Sequence, residues 1–201
     1  FQGYNLIVIV KKDSPIKTMA DMKGKTIAHT SSSSNSGNLA PRALFPNEGL
    51  IPDEDYKVVY SGKHDQSILG VASGDYDAAP VASDVFDRMA AAGRINGDDF
   101  RIIFRSPRFP TSSFGYAHDL NPELAKQIVF AFYTYRFPEE MSKQFKGADR
   151  FFPINYEDDW AVIRDIAHAT GAAYTKAGLA LLAEKEAAKA KAKAEKKKSG
   201  G

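Results

Sequence analysis

The chain has 201 residues, 43% of them hydrophobic and 11% aromatic, which is enough for one packed domain or two small lobes. It has no cysteine, which excludes disulfides and thiolate metal sites, and no apolar run of the ~18 residues that a membrane-spanning helix needs. The net charge of +2 averages two unlike parts, because residues 184–198 hold seven lysines and three glutamates and the remainder therefore sums to −2. A nearly neutral body is not typical of a nucleic-acid-binding domain. We interpret the Lys-rich tail as a solvated extension, with electrostatic contact to nucleic acid or anionic lipid as the alternative.

Strand-like and helix-like segments alternate over the first hundred residues. The predicted strands lie at residues 6–10, 26–30, 56–61, 77–82 and 100–106. The predicted helical segments between them lie at residues 18–24, 38–49, 65–74 and 83–93. Each of the last three ends on a glycine, the residue favoured just past a helix C-terminus. This alternation predicts an α/β fold around a mostly parallel sheet.

The character of the sequence changes after about residue 107. A connector rich in proline and serine contains one short predicted strand, FGYAH at 114–118, and leads into predicted helices at 121–137 and 157–171. Apolar residues recur on one face of the first of these helices, namely Leu124, Ile128, Phe132 and Tyr135. The chain is therefore predicted to be a compact α/β lobe followed by helices that need an apolar surface to cover.

Polar residues follow three consecutive predicted strands, each at a junction with a helix. The stretch HTSSSSNSGN carries Ser34, Asn35 and Ser36, YSGKHDQS carries His64, and PVASD carries Asp84. The carboxyl ends of parallel strands meet at one edge of a sheet, and helix N-termini there offer unpaired N–H groups that suit phosphate-like anions. Each junction also has a local interpretation, as a helix cap or a structural histidine. Together they predict one convergent polar site.

The chemistry of these residues favours binding of an oxyanion. The carboxylate of Asp84 can accept a proton from a protonated oxyanion and repels a fully ionised one. A hydrolase triad of Ser36, His64 and Asp84 is disfavoured because no G-x-S-x-G sequence surrounds the serine. The GKT at 24–26 precedes its strand and lacks the first glycine of a phosphate-binding P-loop. The four histidines are scattered, so a dedicated zinc site is not expected.

Five motifs in order resemble one protein family. They are Y-x-L-I-V-x-V-K-K-D-S-P-I-K, D-M-K-G-K-T-I-A, S-N-S-G-N-L-A-P-R, S-G-K-H-D and V-A-S-G-D-Y-D-A-A-P-V. They resemble the PhnD-like phosphate/phosphite/phosphonate-binding proteins, which are the periplasmic solute-binding components of ABC importers. The resemblance runs from residue 1 to about residue 170 and leaves the Lys-rich tail outside.

The resemblance implies a periplasmic-binding-protein-like (type II) fold, in which crossing strands join two α/β lobes around the ligand. Residues 1–10 then correspond to a crossover strand and 11–107 to the α/β ligand-binding lobe 2. Residues 108–172 correspond to the return crossover and the C-terminal helices of lobe 1, and 173–201 to an Ala/Lys-rich tail that is helical or disordered. We expect the first part of lobe 1 to be missing, so that the site residues lie on an open face and the chain alone binds weakly.

The resemblance also assigns ligand-binding residues. Ser34, Asn35 and Ser36 match the family's S-T-S-G loop, with asparagine in place of the usual threonine. His64 matches the histidine of the G-x-H-D motif. The remaining two are Asp84, where an acidic pocket residue is expected, and Tyr4, which matches a crossover tyrosine near the ligand.

The function implied is binding without catalysis, with no cofactor and no metal. The partners implied are a small oxyanion and an ABC transporter permease, with no nucleic acid and a monomeric full-length protein, in a periplasmic or lipid-anchored extracytoplasmic location. The ligand stays open among phosphite, phosphate, hypophosphite, an alkylphosphonate and an arsenic oxyanion. An oxyanion sensor module of a signalling system and, less in keeping with the motifs, a small Ser/His hydrolase are the alternatives.

Overall fold

A computed structural model of the chain describes residues 3–111, 113–145, 147–171 and 180. The Ala/Lys-rich tail predicted at 173–201 lies outside the described residues, except for Ala180. Within the part of the chain that is described, no helix is long and apolar enough to cross a membrane.

The described residues form two compact units. Unit 1 contains residues 3–4 and 109–161, and unit 2 contains residues 5–108 and 162–171. Unit 2 carries the sheet and the three polar junctions, so it is the unit that positions most of the predicted site.

The sheet has five strands. These are β1 (Gly3–Lys11), β2 (Thr26–His29), β3 (Lys57–Tyr60), β4 (Ala79–Ala82) and β5 (Phe100–Pro110). Strand β1 lies between β4 and β5, and β2 pairs with β3. A parallel bridge between Ile27 and Ala78 joins the two sets, so that the strand order is β3-β2-β4-β1-β5.

The predicted parallel direction holds for every described strand except β1. Strands β2 and β3 are parallel, whereas β1 runs antiparallel to β4. Hydrogen bonds from Lys12 N to Asp99 O (2.7 Å) and from Asn5 Nδ2 to Ser106 O (2.8 Å) place β1 antiparallel to β5 as well. Helical connections lead from β2 to β3, from β3 to β4 and from β4 to β5, which is the kind of connection that parallel strands need.

Short helices cover the sheet of unit 2. They are α1 (Ala40–Leu44), α2 (His64–Ser73) and α3 (Ser83–Ala91). The predicted glycine stops are confirmed, since Gly49 and Gly74 follow their helical segments with φ of 74° and 89°, the left-handed region that glycine adopts without strain. The remaining helices are α4 (Pro122–Thr134), α5 (Glu139–Gln144) and α6 (Tyr156–Asp159) of unit 1, and α7 (Ala161–Ala169) at the start of the last segment of unit 2.

The core of unit 2 forms around β1. Its apolar run from Leu6 to Val10 is buried on both faces, which explains why the sequence there is continuous rather than alternating. On one face, Ile7 and Ile9 contribute to an apolar cluster with residues of α2, α3 and the neighbouring strands. The helices whose N-termini form the polar junctions are therefore anchored by the same core as the strands.

Unit 1 departs from the sequence prediction at its connector. The strand predicted at 114–118 is wrong, because residues 113–116 have no regular structure and the Phe114 side chain is 74% exposed. The predicted start of α4 is confirmed, since the Asn121 side-chain oxygen accepts hydrogen bonds from the backbone of Glu123 and Leu124. The helix predicted at 157–171 is interrupted at Trp160, between α6 and α7.

The serine-rich loop after β2 winds into a π-helical turn over Asn35–Leu39. The Ser34 hydroxyl caps this turn by accepting a hydrogen bond from Gly37 N (3.2 Å). The turn also closes on β2, because Thr30 N donates to Gly37 O (3.0 Å). A side chain at Gly37 would overlap the side chain of Thr30, so only glycine allows this close approach.

A buried polar network lies beneath the same loop. The Asn38 side-chain oxygen receives a hydrogen bond from Arg42 Nε (3.0 Å) and lies 2.9 Å from Nδ1 of His29, which must therefore carry the ring proton. The other ring nitrogen of His29 then accepts from the Tyr56 hydroxyl (3.0 Å). The Asn38 amide donates to Ser32 O (2.8 Å), so the network ties the serine loop to the core.

Replacement of Gly37 by alanine should destabilise unit 2 by about 1–3 kcal/mol, because the added methyl group has no space beside Thr30. The measurement is urea unfolding followed by a probe in unit 2. Gly97→Ala is the matched control, since a methyl group there would meet its nearest neighbour at an ordinary 3.9 Å. Equal stability of the two variants would contradict the packing described.

Acid should destabilise the fold through His29. Burial lowers the pKa of His29 to about 4, whereas an unfolded histidine titrates near 6.5. Between these values the unfolded chain binds a proton that the folded chain does not, so the free energy of unfolding should fall by up to about 3 kcal/mol as the pH decreases through this window.

Denaturant unfolding at a series of pH values between 7 and 4 measures this loss. His29→Phe should lower stability at neutral pH, because it leaves the buried Tyr56 hydroxyl without its partner and removes one hydrogen bond of Asn38, but it should flatten the pH dependence. Tyr56→Phe leaves His29 buried and should keep the slope. An unchanged slope in His29→Phe would show that His29 does not cause the acid sensitivity.

Candidate functional site

Three strand exits of unit 2 meet at one edge of the sheet. The loop after β3 is bonded to the end of β2, because Ser61 N donates to His29 O (2.9 Å) and Gly62 N donates to Thr30 O (2.7 Å). Immediately after this loop, His64 begins α2, and after β4 Asp84 lies in the first turn of α3. Backbone hydrogen bonds thus join the junctions of the serine loop and His64.

His64 connects the third junction to the first two. Ala78 O accepts from Ala28 N, so the even-numbered residues of β4 direct their backbone polar groups toward β2. Strand β2 ends before it reaches the level of Ala82. The Ala82 N–H there donates to Nδ1 of His64 (3.3 Å), and the Thr30 hydroxyl lies 3.1 Å from the same nitrogen.

This geometry determines the tautomer of His64. A backbone N–H can only donate, so Nδ1 accepts and the proton of the neutral ring is on Nε2. Burial lowers the pKa of His64, while the charges of Asp84 and Asp65 raise it and that of Arg88 lowers it. The neutral ring therefore presents an Nε2–H donor at neutral pH.

Asp84 supplies the negative charge of the site. Its carboxylate pairs with Arg88 one helical turn later (2.8 Å), and its side chain is 37% exposed. The ion pair leaves further acceptor capacity on the carboxylate, since each oxygen has two lone-pair positions. A donor on His64 and an acceptor on Asp84 thus follow β3 and β4, which lie on either side of β2.

The serine loop is less open than the sequence predicted. Ser34 and Asn35 are half-buried, but Ser36 is only 1% exposed, so the expectation that all three lie on an open face is wrong for Ser36. The cause is the π-helical turn, which takes Ser36 and Gly37 into the interior above Thr30. His64 is also half-buried.

Tyr4 lies in a different unit from the other predicted site residues. It belongs to unit 1, where its ring packs edge-on against Phe109 with the ring centroids 5.7 Å apart. The five remaining predicted residues all lie in unit 2.

Two residues that support the site were not identified from the sequence. Thr30 contacts His64, and Asn38 holds the serine loop from below. Thr30 lies in the same run of hydroxyl residues as Ser34. The sequence therefore indicated that this segment is polar, but not which of its hydroxyl groups contacts His64. Among the described residues, no group of three or more histidine, aspartate or glutamate side chains is arranged to hold a metal ion.

The sequence is similar to those of known periplasmic binding proteins. The sequence profile of the family described as "ABC transporter, phosphonate, periplasmic substrate-binding protein" matches residues 2–160. The chain is 27% identical over 143 residues to the phosphonates-binding periplasmic protein of Escherichia coli (strain K12), covering 69% of this chain and 42% of that protein. It is 26% identical over 139 residues to the phosphate-import protein PhnD of Mycolicibacterium smegmatis, covering 65% of this chain and 43% of that protein.

The fold is likewise shared with a solved structure, PhnD1 of Prochlorococcus marinus in complex with methylphosphonate. The TM-score is 0.69 at 18% sequence identity, over 83% of this chain and 66% of that one. The chain thus spans less than half the length of the two curated relatives it matches. Since the family profile extends over most of the sequence, the chain belongs to the periplasmic substrate-binding proteins of ABC phosphonate transporters.

Proposed function

We propose that the chain contributes the oxyanion-binding lobe of an ABC importer's solute-binding protein, and that its ligand is a phosphonate, phosphite or phosphate. The observation that carries this proposal is the orientation of His64, whose Nε2–H is available as a donor at the edge where three strand exits meet. The names of the relatives, which bind phosphonates or import phosphate, support the ligand class.

The chemistry of the site suits an oxyanion that still carries one proton. His64 donates to one ligand oxygen, and Ser34 and Asn35 of the serine loop supply further donors, whereas the hydroxyl of Ser36 is buried. The carboxylate of Asp84 accepts from the P–OH group, which a fully ionised anion lacks. Hydrogen bonds to a charged ligand contribute about 1.5–3 kcal/mol each, so a few of them decide the affinity.

In this proposal residues 11–107 form the ligand-binding lobe, and residues 1–10, which include the proposed ligand-binding residue Tyr4, and 108–172 belong to the crossing strands and the other lobe. Ligand binding favours the closed arrangement of two lobes, and the closed form docks on a membrane permease. The protein acts outside the cytoplasmic membrane, as the names of its periplasmic relatives suggest, and as a monomer. The same binding step would serve an oxyanion sensor.

Binding is favoured over hydrolysis by two features of the site. A nucleophilic serine needs an accessible hydroxyl hydrogen-bonded to its base. Ser36 is 1% exposed, and Nδ1 of His64 is engaged by Ala82 and Thr30. We therefore propose that the chain has no catalytic activity and needs no cofactor.

An NMR titration of the chain with methylphosphonate tests the proposal and detects even millimolar affinity. We expect the imidazole signals of His64 and the backbone amides of the serine loop to shift in a saturable manner. Phosphite and phosphate are compared in the same way, and sulfate, which carries no proton at neutral pH, should cause much smaller shifts. Shifts confined to other parts of the chain would contradict the proposed site.

Asp84→Asn should reduce the preference for methylphosphonate over sulfate by about tenfold, or ~1.4 kcal/mol, because the amide no longer repels a fully ionised anion. The two dissociation constants are obtained from the same titrations. Asp87→Asn, an exposed aspartate on the same helix, is the matched control and should keep the preference. An unchanged ratio in Asp84→Asn would exclude Asp84 from ligand selection.

A further inference from the structure

Thr30 has contacts that a β-strand terminus does not need for its own stability. It is 5% exposed and directly follows β2. Its backbone already bonds to both neighbouring segments, through Gly37 O and Gly62 N. Its hydroxyl oxygen lies 3.1 Å from Nδ1 of His64, which is 34 residues away in the sequence.

The direction of this hydrogen bond follows from a second donor at the same ring nitrogen. Because the Ala82 N–H points at Nδ1, a proton on Nδ1 would face another proton. The Thr30 hydroxyl must therefore donate to Nδ1, and its own lone pairs face away from the ring. Nδ1 thus receives two donors, one fixed by the backbone of β4 and one by the side chain after β2.

We propose that Thr30 is a positioning residue for ligand binding: together with the Ala82 N–H, its hydroxyl holds His64 in the neutral tautomer that directs Nε2–H at the oxyanion. This inference rests on the proposed function for the identity of the ligand, but the tautomer itself is a property of the chain without ligand. The close approach of Gly37 to Thr30 gives the hydroxyl little freedom to turn away.

The charged groups around His64 do not by themselves hold the ring in the neutral tautomer with the proton on Nε2. Asp84 and Asp65 favour the protonated ring, and Arg88 opposes it. Protonation would place a hydrogen on Nδ1 against the Ala82 N–H, so the two carboxylates act against the backbone donor. Removal of the Thr30 hydroxyl takes away one of the two donors that oppose them.

Long-range nitrogen–proton NMR correlations on the ¹⁵N-histidine-labelled chain, without ligand at neutral pH, test the proposal. In the wild type we expect an unprotonated Nδ1 and a protonated Nε2 on His64. Thr30→Val keeps the shape of the side chain without the hydroxyl, and we expect averaged nitrogen shifts that indicate mixed tautomers or partial protonation. Thr30→Ser restores the donor and should restore the wild-type pattern. Thr26→Val, the same change at the other end of β2, should leave His64 unchanged.

Methylphosphonate titration of the same variants separates this inference from the proposed function. We expect Thr30→Val to weaken binding about tenfold and Thr30→Ser to weaken it little. A wild-type His64 protonated on Nδ1, or a Thr30→Val variant with the wild-type nitrogen shifts, would overturn the positioning role. If the tautomer behaves as expected but methylphosphonate, phosphite and phosphate all fail to bind, the positioning of the ring stands and the proposed ligand class fails.

Discussion

The site depends on the backbone N–H of Ala82, which has no strand partner because β2 ends before it. That donor requires an acceptor, and Nδ1 of His64 provides it. The same nitrogen receives the Thr30 hydroxyl, so one ring joins the exits of β2, β3 and β4. A buried N–H without a partner is costly, so the sheet edge itself disfavours any rotation of the ring that breaks this bond. The orientation of the His64 ring, which we propose as a donor to the ligand, thus follows from the hydrogen-bond requirements of the sheet.

The serine loop is held by a second constraint, the network of His29, Asn38 and Tyr56. Burying polar groups is favourable only when each has a partner, and here the ring of His29 bridges a tyrosine hydroxyl and an asparagine amide. Asn38 connects this network to the serine loop, because its side-chain amide donates a hydrogen bond to Ser32 O. The loop is therefore fixed before a ligand arrives, which lowers the entropy that binding must overcome.

Local sequence signals predicted the regular elements well, because each has a short-range physical cause. The apolar run from Leu6 to Val10, the glycines after the helices and the Asn121 cap all act within a few residues, and the structure has each of them. The strand predicted around Phe114 is wrong because a strand forms only when a neighbouring strand is there to bond to. A local sequence pattern does not show whether such a neighbour exists.

The sequence predicted which strand–helix junctions carry the site, but not the burial and the contacts of the side chains in it. The order of strands and helices brought Ser34, His64 and Asp84 to one edge, but the burial of Ser36 depends on the turn that Gly37 permits above Thr30. The contact between Thr30 and His64 joins residues from two different junctions, so no local pattern could reveal it. The junctions indicated an oxyanion, and family membership supports the phosphorus-containing ligand class that we propose.

A crystal structure of the chain with methylphosphonate tests most directly the claim that the three junctions form an oxyanion site. The account predicts a phosphonate oxygen about 3 Å from Nε2 of His64, with Nδ1 still facing the Ala82 N–H. A phosphonate bound elsewhere in the crystal, or a His64 ring turned so that Nδ1 faces the anion, would contradict it.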